Sequence, residues 1–240
     1  MTFTKLNTDP KAANAAFPVQ NPLGPSGSNL QALLDAAREA RIDATVAAVV
    51  CNVPGARALE RARTAGVATE LLPSKGVADR EAYDREVVAR LRAHEVDLVC
   101  LAGWMRIVTP AFLGAFAATP ESRGCPRVMN VHPALLPSFP GLHAQRQALD
   151  YAVRFTGCTV HFVDAGTDTG PVIVQAAVPV LPGDDEASLS ARILVEEHRV
   201  YPLAVQWFAQ GRLSVDGRRV AVRDMAAPRM DGVSNPSRDR

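Results

Sequence analysis

Short apolar, β-branched runs alternate with stretches of helical period along most of this chain, and that alternation restricts its fold more than any other feature. The runs at 45–51 (TVAAVVC), 67–72, 97–102 (DLVCLA), 128–131, 158–163 and 172–180 have the length and continuous apolarity of buried strands. Between them, 29–40 (NLQALLDAAREA) sets Leu30, Leu33, Leu34 and Ala37 at helical spacing behind the capping candidates Ser28 and Asn29. Further helices are expected near 55–64, over about 79–94 and over about 186–209, the last kinked at Pro202. Strands alternating with helices imply βαβ units with right-handed crossovers. The expectation is an α/β protein with a doubly wound, mostly parallel sheet. A C-terminal β-hairpin should follow at 212–222 (RLSVDGRRVAV), where Asp216-Gly217 separates two alternating runs.

Composition removes several classes of function. The formal net charge of +1 offers no field for gripping nucleic acid or an anionic membrane, so any phosphate must be held by a local site. The cysteines Cys51, Cys100, Cys125 and Cys158 are scattered without metal-ligand spacing. A reducing, cytoplasmic setting suits them better than a disulfide framework. No apolar run is long enough to span a bilayer, and residues 1–20 lack the apolar core of a secretory signal. Small-molecule substrates are therefore expected, with no nucleic-acid or membrane partner and no metal, in a monomer or homodimer.

The stretch 128–141 (VMNVHPALLPSFPG) carries the chemistry. Asn130 and His132 end a strand on the same face, because strand side chains alternate with period two. Pro133 stops the strand, and Pro137 and Pro140 stiffen the loop beyond it. Ligands of open α/β sheets bind outside the carboxyl ends of the strands. An amide able to donate to an oxyanion, beside an imidazole able to move a proton, suits acyl transfer. Read from the residues alone, the pair equally suits a turn cap and a satisfied polar strand end.

The text N-V-H-P-A-L-L-P-S-F-P-G resembles the signature of the folate-dependent formyltransferases, and the F-P-G form resembles their glycinamide ribonucleotide branch. Other segments resemble that family in the same order: 27–36 (GSNLQALLDA), 79–84 (DREAYD), 101–107 (LAGWMRI), 164–175 (DAGTDTGPVIVQ) and 195–202 (VEEHRVYP). The resemblance spans roughly 27–222. It implies a Rossmann-like catalytic domain over 26–225 and formyl transfer from 10-formyltetrahydrofolate to the amine of glycinamide ribonucleotide, without metal. By the same resemblance Asn130, His132 and Asp168 are the catalytic residues, with Asp168 favouring protonated His132. Gly27, Ser28 and Asn29 are expected to cradle the substrate phosphate with help from Arg80. Gly103 adjoins the substrate, and Glu197 accepts from ribose hydroxyls. Met105, Arg106, Ile107 and Val108 border the pteridine slot.

Several residues keep plainer readings. His161 is read as structural, His94 as a solvated helix end, His198 as helix packing or a pocket wall, and His143 as exposed or part of a loop over the folate. Trp104, like Met105, suits core as well as pocket. One stretch departs from the family. Pro18 and Pro22 fall where its first strand is expected, and Pro25 where the first loop glycine is expected. Proline is poorly tolerated in a central strand. Residues 1–25 are therefore expected to be irregular, with the first strand degraded or replaced, and 226–240 to be a disordered tail. The alternatives are a 10-formyltetrahydrofolate hydrolase of the same family, which needs no phosphate loop, and a degenerate homologue that has lost phosphate binding. Transfer to a charged initiator tRNA would call for a basic patch that is not evident.

Overall fold

The computed structural model describes residues 13–19 and 27–224. Its centre is a sheet of seven strands: β1 (Ala13–Val19), β2 (Ala44–Cys51), β3 (Ala68–Leu71), β4 (Leu98–Leu101), β5 (Val128–His132), β6 (Phe155–Phe162) and β7 (Val172–Pro179). They lie in the order β3-β2-β1-β4-β5-β6-β7. The first five are parallel, and β6 runs antiparallel to both β5 and β7. The helices are α1 (Ser28–Arg38), α2 (Arg57–Thr64), α3 (Arg80–Ala93), α4 (Pro110–Ala115), α5 (Ala144–Asp150) and α6 (Glu186–Ala209). One core unites Leu30, Leu33, Ile193 and Tyr201 of α1 and α6 with one face of the sheet. The other unites Tyr83, Val87, Leu91 and Phe112 of α3 and α4 with the opposite face. This is the doubly wound, mainly parallel arrangement expected, and none of its described helices is long and apolar enough to cross a membrane.

The expectation of an irregular segment over 1–25 is corrected for seven residues. Ala13–Val19 form β1 in the middle of the sheet, paired with β2 along its length and with a register shift between Ala15 and Ala16. Pro18 lies in this strand past Ala16, where the described ladder to β4 ends, and is paired with Val50 of β2. Pro22 and Pro25 lie outside the described residues, as does the tail at 226–240.

Other expectations hold with small shifts. Pro202 sits inside a continuous α6, which starts at a capping box between Asp185 and Ser188. The hairpin is β8 (Leu213–Asp216) and β9 (Arg219–Val222); its two-residue loop is Gly217-Arg218, one position later than expected, with Gly217 at φ 57°. Two helices, α4 and α5, escaped the sequence reading. For α4 the signal was present: the Thr109 hydroxyl caps the Phe112 N–H, and Pro110 opens the first turn.

Candidate active site

The carboxyl end of β5 delivers Asn130 and His132 to the same face, and β6 places His161 opposite Asn130 and Thr159 opposite His132. Beyond β6, the loop to β7 folds back over the sheet. Gly170 permits this close packing, since a Cβ there would collide with the Phe162 carbonyl. The loop carries Asp168, itself at φ 54°, to both histidines. Oδ2 of Asp168 lies 3.3 Å from Nδ1 of His132, and Oδ1 lies 3.6 Å from Nε2 of His161. The Gly141 N–H donates to Oδ2 at 2.8 Å, which fastens the FPG turn to the same carboxylate. Asn130, His132 and Asp168 are therefore brought together as expected.

Hydrogen bonding assigns the imidazole protons. A carbonyl can only accept, so Nδ1 of His161 donates to the Phe162 carbonyl at 2.8 Å, while Nε2 sits between the Asn130 amide nitrogen at 3.3 Å and Oδ1 of Asp168 at 3.6 Å, with one Asn130 N–H turned toward it. That leaves the second Asn130 N–H for a ligand. Nε2 of His132 likewise donates to the Phe139 carbonyl at 2.8 Å while its Nδ1 faces Asp168. Two acceptors flank the His132 ring, an arrangement suited to an imidazolium. Burial of the ring nevertheless outweighs Asp168 and the Phe139 carbonyl and holds its pKa below the ordinary histidine value. Asp168 pulls the His132 pKa upward, the direction expected of an adjacent carboxylate, but burial outweighs that pull. Asp168 is itself pushed up by burial. The His161 contact, the Gly141 N–H and the two imidazoles more than offset this and hold it below the usual carboxylate range.

Sequence reasoning set His161 aside as structural and missed Thr159. The buried Thr159 hydroxyl donates to the Ala134 carbonyl at 2.7 Å and accepts from the Leu136 N–H at 3.0 Å, pinning the loop that follows His132. The only sequence signal was that Thr159 and His161 are polar residues within the apolar run at 158–163.

A second group of residues gathers where α1 meets α6. Gly27 is the N-cap of α1 at φ 74°, and a Cβ there would approach Ala58 of α2 to 3.2 Å, so only glycine fits comfortably. No side chain caps this helix start, and its first turn carries no acid, leaving it suited to an anion. The Asn29 amide donates to Glu197 at 2.6 Å. Burial pushes the Glu197 carboxyl up to about 6, against the pull of Asn29. One turn further along α6, the Tyr201 hydroxyl reaches the carbonyls of Leu101 and Met129 at 2.9 and 3.2 Å, tying this helix face to β4 and β5. His198 is half-buried, with Nε2 lacking a partner among the described residues.

The segment after β4 starts at Gly103, at φ 69°. Met105 and Ile107 are exposed, whereas Trp104 and Val108 are buried in the core beside α3 and α4. Arg106 stacks on the Tyr83 ring, 4.7 Å from its centre. A cleft of about 360 Å³ opens between this segment and the Asp168 loop, lined by Arg80, Ile107, Val108, Thr109, Pro110 and Ala165 among others. The Arg80 guanidinium donates to the Ile107 carbonyl, which attaches it to this segment. His143 is the exposed N-cap of α5, and His94 caps the end of α3 beside Glu70 at 3.2 Å.

A strand-end Asn–His pair and an acid delivered to it by a folded-back loop, at the carboxyl end of a parallel strand, together define a group-transfer site of an α/β sheet. Residues 23–205 match the formyl transferase family model, and the chain belongs to that family. The phosphoribosylglycinamide formyltransferase of Escherichia coli strain K12 is 46% identical over 209 residues, covering 84% of this chain and 95% of its own. The phosphoribosylglycinamide formyltransferase of Mycobacterium tuberculosis is 44% identical over 206 residues, covering 82% and 90%. In structure the chain is similar to glycinamide ribonucleotide transformylase 1 from Symbiobacterium toebii, with a TM-score of 0.81 and 50% identity, covering 88% of this chain and 94% of that one.

Proposed function

We propose that this protein transfers a formyl group from 10-formyltetrahydrofolate to the amine of glycinamide ribonucleotide, giving formylglycinamide ribonucleotide and tetrahydrofolate in purine biosynthesis. The observation that carries this reading is the Asn130–His132–Asp168 cluster at the carboxyl end of β5, in a chain 46% identical to the Escherichia coli enzyme.

The substrate amine attacks the formyl carbon, a C–N bond forms, and the formyl oxygen becomes an alkoxide. The free Asn130 N–H is positioned to donate to that oxygen, because His161 holds the other. The incoming amine must lose a proton, and His132, kept neutral by burial, is the group to take it. Once charged, its ring faces two acceptors, Asp168 and the Phe139 carbonyl, so the site suits the charge that develops rather than the resting state. Return of a proton to N10 as its bond to carbon breaks releases tetrahydrofolate.

The start of α1 at Gly27, Ser28 and Asn29 is assigned to the phosphate, with Arg80 contributing if it exchanges Ile107 for the ligand. Glu197 is assigned to the ribose hydroxyls, and Met105, Arg106, Ile107 and Val108 to the border of the pteridine slot. Gly103, just beyond β4, is assigned to the substrate. Four buried, scattered cysteines suit the reducing cytoplasm, where this chemistry would take place. The test is tetrahydrofolate release from 10-formyltetrahydrofolate with and without the ribonucleotide, beside Asp168→Asn. Ribonucleotide-dependent release that collapses in the variant supports the transferase. Release without ribonucleotide marks a hydrolase, and no release from folded protein overturns the reading.

A further inference from the structure

The segment that leads from β4 into α4 is neither helix nor strand from Gly103 to Thr109. No backbone N–H from Trp104 to Val108 donates to another backbone carbonyl among the described residues. Its course is fixed instead from one side. Arg80, Tyr83 and Asp84 share a face at the start of α3, by their i, i+3, i+4 spacing. Arg80 donates to the Ile107 carbonyl, Tyr83 lies under the Arg106 guanidinium, and Asp84 accepts the Thr109 N–H at 2.7 Å.

Asp84 differs from its two neighbours. It is only 2% exposed, and it forms no ion pair among the described residues. Burying a carboxylate costs stability unless it is well bonded, and an apolar residue would pack here without that cost. What the carboxylate supplies is a bond to one particular N–H. Thr109 is the residue whose hydroxyl caps α4, so that bond sets where α4 begins and where the cleft wall at Ile107, Val108 and Pro110 stands.

We infer that Asp84 is a positioning residue of the folate slot: it touches no ligand, and it sets the course of 105–109 through the Thr109 N–H. The inference rests on the proposed function for its ligand, though the tether itself is independent of it.

Two variants and two measurements test it. In the ligand-free protein, Asp84→Ala is expected to speed amide hydrogen exchange over 104–112 about tenfold, the loss of a bond to a charged acceptor, with α1 and α6 unchanged. In steady-state assays the same variant is expected to raise KM for 10-formyltetrahydrofolate about tenfold, with kcat and KM for the ribonucleotide within about twofold. Asp84→Asn keeps an oxygen acceptor without the charge and is expected to fall between, at about threefold in both measurements. If Asp84→Ala does not fold, Asp84→Asn carries the test alone. Unchanged exchange over 104–112, exchange that rises equally in α1 and α6, or two KM values that rise together would each overturn the inference. An inactive wild type with a local exchange effect would sink the proposed function and leave the tether standing.

Discussion

Asn130 and His161 face each other across the β5–β6 ladder, with the Asn130 amide nitrogen 3.3 Å from Nε2 of His161. His161 is locked in turn by the Phe162 carbonyl, so the orientation of the proposed oxyanion donor depends on a residue that need not touch substrate. Asn130→Ala is expected to lower kcat about 100- to 1,000-fold with little change in either KM, the usual consequence of removing an oxyanion donor. His161→Phe, which keeps the ring volume and removes the acceptor, should lower kcat about tenfold. Steady-state kinetics on the two variants and the double mutant check this; additive effects would show that the two residues act separately.

The His132–Asp168 pair predicts a pH profile. Because burial holds the His132 pKa below its ordinary value, the neutral base persists to slightly acid pH, and kcat should fall only as pH drops through that lowered value. Asp168→Asn removes the carboxylate that pulls upward, so the acid limb should move to still lower pH while kcat drops about 100-fold or more. A limb that moves to higher pH in the variant would contradict the assignment of His132 as the base.

Glu197 is expected to trade stability for binding. Its folded pKa of about 6 lies above the value of 4.5 for a free glutamate, so the carboxyl contributes most below pH 4.5, and that contribution is lost as pH rises through 6. Glu197→Gln escapes this loss. It should be more stable than wild type by about 2 kcal/mol above pH 7, and equal to it near pH 4. If Glu197 holds ribose hydroxyls, the same variant should raise KM for the ribonucleotide about tenfold. Denaturant melts at both pH values and the two KM values decide the matter.

Tyr201 offers a control away from the chemistry. Its single hydroxyl proton is shared between the Leu101 and Met129 carbonyls in a fully buried site. Tyr201→Phe should cost about 1–2 kcal/mol by leaving those carbonyls without that donor, with kcat within about twofold. A thermal melt alongside the activity assay separates the two effects.

Much of the fold was legible because it rests on local periodicity. The apolar runs and the 3.6-residue pattern of α1, α3 and α6 can be read from neighbouring residues. What was misread has particular causes. Pro18 argued against β1, yet the ladder to β4 ends before it. The short α5 begins at His143 without a side-chain cap, so nothing in the text marked its start.

The sequence by itself determined the alternation of strands and helices and the Asn130–His132 spacing, since period two and period 3.6 are properties of adjacent residues. Tertiary structure decided the rest. Only the reversal of β6 sets His161 against Asn130, only the folding back of the next loop brings Asp168 to both histidines, and only the packing of α6 on α1 joins Asn29 to Glu197 across 168 positions. Burial did the same for charge. The pairing of Asp168 with His132 was implied only by the family resemblance, and the desolvation that outweighs it exists only once the ring is enclosed.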